Sequence, residues 1–121
     1  MNEESSFNND IVLVTKKENL LIIEPKVRLD LSFAEHFYNK VMEILQSEPS
    51  HLLINMQEVP YISSSGIKTL LKIKNYLEMR GYKIALYQLT KEVNKIIHIS
   101  ELHHLLPLFH SESEAMNYIN S

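Results

Sequence analysis

Several residue types are absent or scarce in this chain of 121 residues. It has no cysteine, which excludes disulfide frameworks, thiolate metal sites and cysteine nucleophiles. Its two glycines, Gly66 and Gly81, stand alone. A phosphate-cradling loop needs several glycines, so that backbone N–H groups can converge on the anion. We therefore expect neither a P-loop nor a dinucleotide-binding fold.

Long hydrophobic runs and a strong charge are also missing. No apolar run approaches the roughly 18 residues that a membrane-spanning helix needs. The first ten residues are polar and acidic, without the basic and apolar regions of a secretory signal. The net charge of −3 creates no field that would favour nucleic acid or anionic lipid. These features predict a soluble, cytoplasmic protein with no nucleic-acid partner and no membrane insertion.

The residues that are present predict one compact α/β domain. Hydrophobic residues make up 45% of the chain, enough for a core in a domain of ordinary size. Short apolar runs predict five strands, at residues 11–14, 20–24, 51–55, 83–87 and 105–109. Helical spacing behind good capping residues predicts four helices, which open near Ser32, Ser63, Thr90 and Ser111. This alternation predicts a single mixed sheet of four or five strands with about four helices packed on it.

Finer features follow from individual residues. Capping-box spacing is present twice, in Ser32 with Glu35 and in Ser111 with Glu114. Pro107 confines the last strand to a sheet edge. Gly81 is expected to end the second helix, and Val59 and Ile62 to point inward. Residues 1–9 are predicted to be a flexible tail, and residues 10–121 the domain.

The most informative segment is Ser63-Ser64-Ser65-Gly66, which opens the second predicted helix. A serine there has a structural explanation, because it caps a helix about 1 kcal/mol better than alanine. Three serines exceed what one cap requires, however, and Gly66 would let another chain approach the backbone closely. A phosphoryl group would add about −1.5 to −2 charges at the positive end of the helix dipole. Modification would then change the surface shown to a partner without unfolding the helix.

The order of these motifs resembles the STAS domain of bacterial anti-sigma factor antagonists. In that family an apolar strand ends in Asp or Asn, here Asn55, and is followed by Asp-Ser-Ser-Gly or Asp-Thr-Ser-Gly, here Ser63–Gly66. The segment Arg28–Asp30 is similar to the family's Gly-x-Leu-Asp motif. Gly81 and the Ser111–Tyr118 helix also match, so the resemblance covers about residues 10–120.

The resemblance implies a switch rather than an enzyme. It places the phosphorylated residue at Ser65, with Ser64 as its neighbour. The unphosphorylated form would bind an anti-sigma factor that is a serine kinase, phosphorylation would release it, and a PP2C-type phosphatase would restore binding. Self-association into a weak homodimer is left open, and no cofactor, metal or catalytic residue is implied. The implied partner-binding residues are Asp30, Ser63, Ser64, Gly66 and Lys68.

Two departures from the family pattern leave a second interpretation open. Ser63 stands where the family has aspartate, and Val27 stands where it often has glycine. The first departure also fits a STAS subunit of a transport or signalling complex in which Ser65 is never phosphorylated. A third interpretation, a STAS domain that binds a small molecule or nucleotide, has no support beyond the fold.

Other candidate sites have simpler explanations. The histidines at 98, 103 and 104 could bind a metal ion, but no carboxylate lies at helix-face spacing from them to complete a ligand set. An exposed or partly buried histidine group without a metal is therefore favoured. Asp30 could be catalytic, but its place beside a helix start favours capping or partner contact. The lysines at 68, 72 and 74 fit a solvated helix face. The sequence has no Gly-x-Ser-x-Gly motif, the nucleophile elbow of a serine hydrolase, although a histidine base could come from elsewhere in the fold.

Overall fold

The computed structural model describes residues 12–17 and 19–121, and the predicted tail at residues 1–9 lies outside them. The strands are β1 (Val12–Lys17), β2 (Leu20–Pro25), β3 (His51–Asn55), β4 (Ile84–Tyr87) and β5 (Leu108–Phe109). The helices are α1 (Leu31–Ser47), α2 (Ser64–Glu78), α3 (Lys91–Ile99) and α4 (Glu112–Ile119), with a 3-10 turn at His103–Leu105. The predicted alternation of strands and helices is confirmed.

The five strands form one mixed sheet in the order β1-β2-β3-β4-β5. The β1–β2 pair is antiparallel and the other pairs are parallel. Strand β5 lies at the edge, as predicted, but the prediction of a strand from residue 105 was wrong. Leu105 instead ends the 3-10 turn, where its N–H donates to the Leu102 carbonyl at 3.0 Å. Pro107 has no N–H to donate, and its carbonyl accepts from Leu86 at 2.9 Å.

Side-chain alternation along the strands divides the core between the two faces of the sheet. Leu52 and Ile54 of β3 pack in the larger core, whereas Leu53 between them packs in the smaller one. Helices α1, α2 and α3 cover the larger face, and α4 covers the smaller face with Ala115 and Ile119. Val59 and Ile62 are fully buried in the larger core, as predicted.

Three of the four helix starts use the predicted capping serine or threonine. Ser63, Thr90 and Ser111 each accept a hydrogen bond from a backbone N–H three residues later. The predicted capping role of Ser32 was wrong, because α1 begins at Leu31 and its cap is Asp30. In the α4 box, the Glu114 carboxylate accepts from the His110 N–H and not from that of Ser111. Gly81 has a φ of +82°, as expected of the residue that ends the helical segment.

Helices α1 and α2 follow the parallel strands β2 and β3, so both begin at the carboxyl edge of the sheet. An isolated parallel bridge between Leu29 and Ile62 joins the segments that lead into them. The two helices pack against each other, and their first turns therefore lie side by side. No helix within residues 12–17 and 19–121 is long and apolar enough to cross a membrane.

Candidate functional site: the groove between α1 and α2

A short backbone ladder fixes the entry to both helices. The Leu29 N–H donates to the Tyr61 carbonyl at 2.9 Å, and the Ser63 N–H donates to the Leu29 carbonyl at 3.0 Å. Leu29 and Ile62 are fully buried at this point. The bridge thus places Asp30, the cap of α1, and Ser63, the cap of α2, at one end of the helix pair.

Ser63 is the structural member of the serine cluster. Its hydroxyl accepts from the Gly66 N–H and donates to the Leu29 carbonyl, each at 3.4 Å. The capping interpretation of this residue is confirmed. The same hydroxyl also links α2 to the segment before α1, a tertiary contact that a cap alone does not require.

Gly66 is buried where α2 touches that segment. A Cβ at this position would stand 2.2 Å from the Leu29 carbonyl oxygen and 2.7 Å from Cγ1 of Ile62. The close backbone approach that the sequence predicted at Gly66 is therefore made by the protein's own chain. This glycine allows Ser63–Ser65 to sit against the Leu29 segment.

Ser64 and Ser65 occupy the first turn of α2 but differ in their surroundings. Ser64 is exposed, whereas Ser65 is half-buried and lines a cleft of about 230 Å³. We call this cleft the α1–α2 groove. Its lining from α1 is Leu31, Ala34, Glu35 and Tyr38, and from α2 it is Ser65, Thr69 and Lys72. Ser65 therefore remains accessible at a helix N-terminus, beside a surface that a partner could contact.

The lysines of α2 divide into separate roles. Lys68 is exposed one turn after Ser65. Lys72 lies with its Nζ 4.2 Å from the centre of the Tyr38 ring, which brings a positive charge into the α1–α2 groove. Lys74 pairs with Glu78 along the helix at 3.1 Å. The predicted solvated face thus includes one lysine that belongs to the groove.

Asp30 has the predicted capping role and a charged neighbour. Its carboxylate accepts from the Ser32 N–H at 3.0 Å and from Arg28 Nε at 2.6 Å. The Arg28 hydrogen bond, helped by the helix N–H groups, lowers the pKa of the Asp30 carboxyl, whereas burial opposes the shift. Arg28 also lies over the Phe33 ring, with its Cζ 5.0 Å from the centroid. The Asp30 carboxylate is thus held ionised and oriented at the start of α1.

The other two positions singled out by the sequence have local roles. Asn55 ends β3, and its side-chain oxygen accepts from the Gln57 N–H at 3.0 Å, which turns the chain out of the sheet. Among the described residues, positive φ values at non-glycine positions occur at Gln88 and Glu101. Val27 therefore needs no conformation that would favour the glycine found there in the resembling family.

The three histidines singled out by the sequence lie together, at a distance along the sheet from the groove. The rings of His98 and His103 stack with centroids 4.3 Å apart, and those of His103 and His104 are 3.9 Å apart. His98 and His104 are exposed and His103 is half-buried, which confirms the predicted group. Among residues 12–17 and 19–121, no three His, Cys, Asp or Glu side chains are placed to share a metal ion.

Sequence reasoning missed the α1 side of the groove. Leu31 is 78% exposed although it is large and apolar, and Tyr38, further along the same helix, lies against Lys72 of α2. A helix start placed at Ser32 left Leu31 outside the helix, so its position on the groove was not visible. An apolar residue directly after the Asp30 cap was the available signal.

A mixed five-stranded sheet with helices on both faces and a serine-capped helix at its carboxyl edge places this chain among the α/β domains. The STAS domain family model matches residues 12–115, and the chain belongs to this family.

Solved structures show the same fold. TM1081 from Thermotoga maritima has a TM-score of 0.82 at 18% identity, with 89% of this chain and 93% of that chain covered. The anti-sigma factor antagonist SpoIIAA in its unphosphorylated form has a TM-score of 0.74 at 18% identity, with 90% and 96% covered. The murine anion transporter Slc26a9 has a TM-score of 0.75 at 20% identity, where 97% of this chain matches 21% of that protein. At these identities the likeness concerns the fold.

Proposed function

We propose that this protein is an anti-sigma factor antagonist in a partner-switching pathway. Its unphosphorylated form binds an anti-sigma factor that is also a serine kinase, and phosphorylation of Ser65 releases that partner. The observation that carries the proposal is the place of Ser65, half-exposed in the first turn of α2 and lining the α1–α2 groove. The fold likeness to SpoIIAA supports it.

The geometry suits a switch that acts on the surface and leaves the fold intact. A phosphate on Ser65 would sit at the positive end of the α2 dipole, where added negative charge is favourable by about 0.3–1 kcal/mol. Lys68 and Lys72 lie one and two turns further along α2 and can offset part of that charge. The helix would persist, while a neutral groove would become an anionic one.

The proposed partner surface surrounds this groove. Leu31, which lines the groove, and Tyr61, in the segment that leads into α2, are exposed apolar side chains, at 78% and 43% exposure. Asp30, Ser64 and Lys68 add polar contacts at its end, whereas Ser63 and Gly66 act by holding the helix start in place. Truncation of these apolar side chains would weaken partner binding, and so would a negative charge buried at the interface.

The remaining parts of the pathway belong to the same proposal. A PP2C-type phosphatase removes the phosphate, and the protein works in the cytoplasm by binding, without catalysis or cofactor. The proposal assigns the domain to residues 10–121, and self-association into a weak homodimer stays an open prediction. The outcome of the pathway is control of transcription through a sigma factor.

Incubation with the cognate kinase and ATP tests the proposal directly. Peptide mass spectrometry should place a single phosphate on Ser65, because that side chain faces the groove at which the kinase docks. Ser65→Ala should abolish the modification, and Ser64→Ala should retain it. Phosphate found on Ser64 in the native protein, or on neither serine, would contradict the assignment.

A second expected result concerns Ser63, which replaces the family's aspartate. Ser63→Asp should raise the phosphorylation rate if the kinase reads that carboxylate. It should change the free energy of unfolding by less than about 1 kcal/mol, because Asp and Ser cap helices equally well and the bond that Asp cannot make, from the hydroxyl to the Leu29 carbonyl, is long at 3.4 Å. The measurements are initial rates with the cognate kinase and denaturant unfolding. Ser63→Asn is the matched control, since it caps without a charge, and an equal rate increase with Asn would rule out an electrostatic cause.

The second candidate function is a STAS subunit of a transport or multiprotein signalling complex that is never phosphorylated. Ser63 in place of the family aspartate favours it, and so does the fold likeness to part of an anion transporter. Genes for a serine kinase and a sigma factor beside this one would favour the switch, whereas transporter genes would favour the subunit.

A further inference from the structure

A second cleft lies at the carboxyl ends of β4 and β5, about 440 Å³ in volume. It shares no lining residue with the α1–α2 groove. Open α/β sheets commonly bind ligands in the crevice beyond the carboxyl ends of their strands. At about 30 Å³ per water-sized volume, this cleft has room for roughly fifteen non-hydrogen atoms. We call it the histidine cleft, after the residues that follow.

The walls of the histidine cleft combine imidazole rings with an apolar floor. No Asp, Glu, Lys or Arg is among its lining residues. The imidazoles are those of His98, His103 and His110, and the floor is Leu106, Leu108 and Phe109. Such a lining suits a ligand with a compact apolar body and one polar head.

The hydrogen bonds of the histidines indicate the charge of that head. The Nδ1 of His98 lies 2.9 Å from the Asn94 carbonyl, which can only accept, so Nδ1 carries the proton. The Nε2 of His98 then becomes a donor only when the ring is protonated. The Nδ1 of His103 is buried and has no hydrogen-bond partner among the described residues. An anionic head in the cleft would supply an acceptor for whichever of these two stacked rings, 4.3 Å apart, takes up a proton.

The backbone beside the cleft is also unusual. Gln88, which contributes to the lining, has a φ of +57°, a left-handed conformation that residues other than glycine rarely adopt. Conformations of this kind persist where the surrounding structure imposes them, and they are concentrated at ligand sites.

We propose that the histidine cleft binds a small organic carboxylate with an apolar body, held at the stacked imidazoles of His98 and His103 when one of these two rings is protonated. This inference does not depend on the proposed role of Ser65. Binding should take up a proton, because burial and the neighbouring rings of His104 and His98 lower the pKa of His103, with Glu101 alone opposing them. The affinity should therefore fall as the pH rises above that pKa.

The probe is 4-phenylbutyrate, whose dozen or so non-hydrogen atoms fit the volume at about 30 Å³ each. Titration into the full chain, followed by ¹H–¹⁵N NMR, should shift the amides around Asn94, His103 and Phe109 in a saturable way. The dissociation constant should be roughly ten- to thirtyfold larger near pH 7.5 than near pH 6, because binding is coupled to about one proton over 1.5 pH units. The uncharged 4-phenylbutyramide should bind at least about tenfold more weakly near pH 6.

Variants complete the test. His103→Gln should weaken binding about tenfold and reduce its pH dependence, because glutamine cannot be protonated. His104→Gln is the matched control, since the His104 ring lies against that of His103 at 3.9 Å but does not line the cleft. It should not weaken binding, and near pH 7.5 it should strengthen it slightly, because a neighbouring ring that lowers the pKa of His103 is removed. Equal affinity for acid and amide, an affinity that does not depend on pH, or shifts outside the cleft would each overturn the proposal. So would the absence of any saturable shift.

Discussion

Replacing Ser65 with aspartate should weaken binding to the anti-sigma partner by roughly 5- to 150-fold, which corresponds to about 1–3 kcal/mol. The substitution places a carboxylate in the α1–α2 groove, where Ser65 is half-buried and Glu35 already contributes to the lining. An interface formed over this groove would desolvate the new charge without providing a partner for it. Ser65→Ala should keep native affinity, because alanine removes only the phosphate acceptor.

The controls use the neighbouring serine. Ser64→Asp adds the same charge one residue earlier in the same helical turn, at an exposed position outside the groove lining. It should reduce affinity much less than Ser65→Asp in isothermal titration calorimetry. Circular dichroism should show both variants folded, because a carboxylate in the first turn favours the helix dipole. Equal affinity of the Ser65→Ala and Ser65→Asp variants would favour the subunit that is never phosphorylated.

Replacing Gly66 with alanine should lower the free energy of unfolding by about 3 kcal/mol, at the upper end of overpacking effects. The added Cβ would stand 2.2 Å from the Leu29 carbonyl oxygen, a backbone atom that no side-chain rotation can move aside. To remove this clash, α2 would have to move away from the segment that contains Leu29, and the α1–α2 groove would widen. Helix propensity alone predicts the opposite sign, a gain of about 1 kcal/mol for alanine.

Denaturant unfolding followed by circular dichroism measures this effect. Asn75→Ala is the matched control, because Asn75 is exposed on the same helix and its replacement should be neutral or slightly stabilising. Affinity for the anti-sigma partner should also fall in the Gly66→Ala variant, since Ser65 is displaced with the helix start. Stabilisation of both alanine variants would mean that the close approach at Gly66 does not occur in solution.

The sequence alone determined the order of the elements and the position of the serine cluster. A continuous apolar run such as Leu52–Ile54 predicts a buried strand without knowledge of the elements that pack on it. Caps such as Ser63 and Thr90 act within the first turn of their own helix. These features depend on neighbours within a few residues, so a pattern in the sequence is sufficient to predict them. The mixed sheet followed from their alternation.

Where the sequence allowed two structural interpretations, tertiary contacts determined which one the protein adopts. Asp30 and Ser32 are both good caps, and Leu29, fixed by its bridge to Ile62, places Asp30 at the start of α1. The same bridge brings the Leu29 carbonyl against Gly66, which assigns the glycine's close approach to the protein itself.

The groove and the histidine cleft depend on distant parts of the chain in the same way. Leu31 and Ser65 line one groove only because α1 and α2 follow parallel strands and so begin at the same edge of the sheet. The histidine cleft forms for the same reason, because the residues that follow the parallel strands β4 and β5 lie at that edge. Local sequence specifies each wall of these clefts separately. Only the packing of the sheet and helices sets the space between the walls, because that space depends on contacts between residues far apart in the sequence.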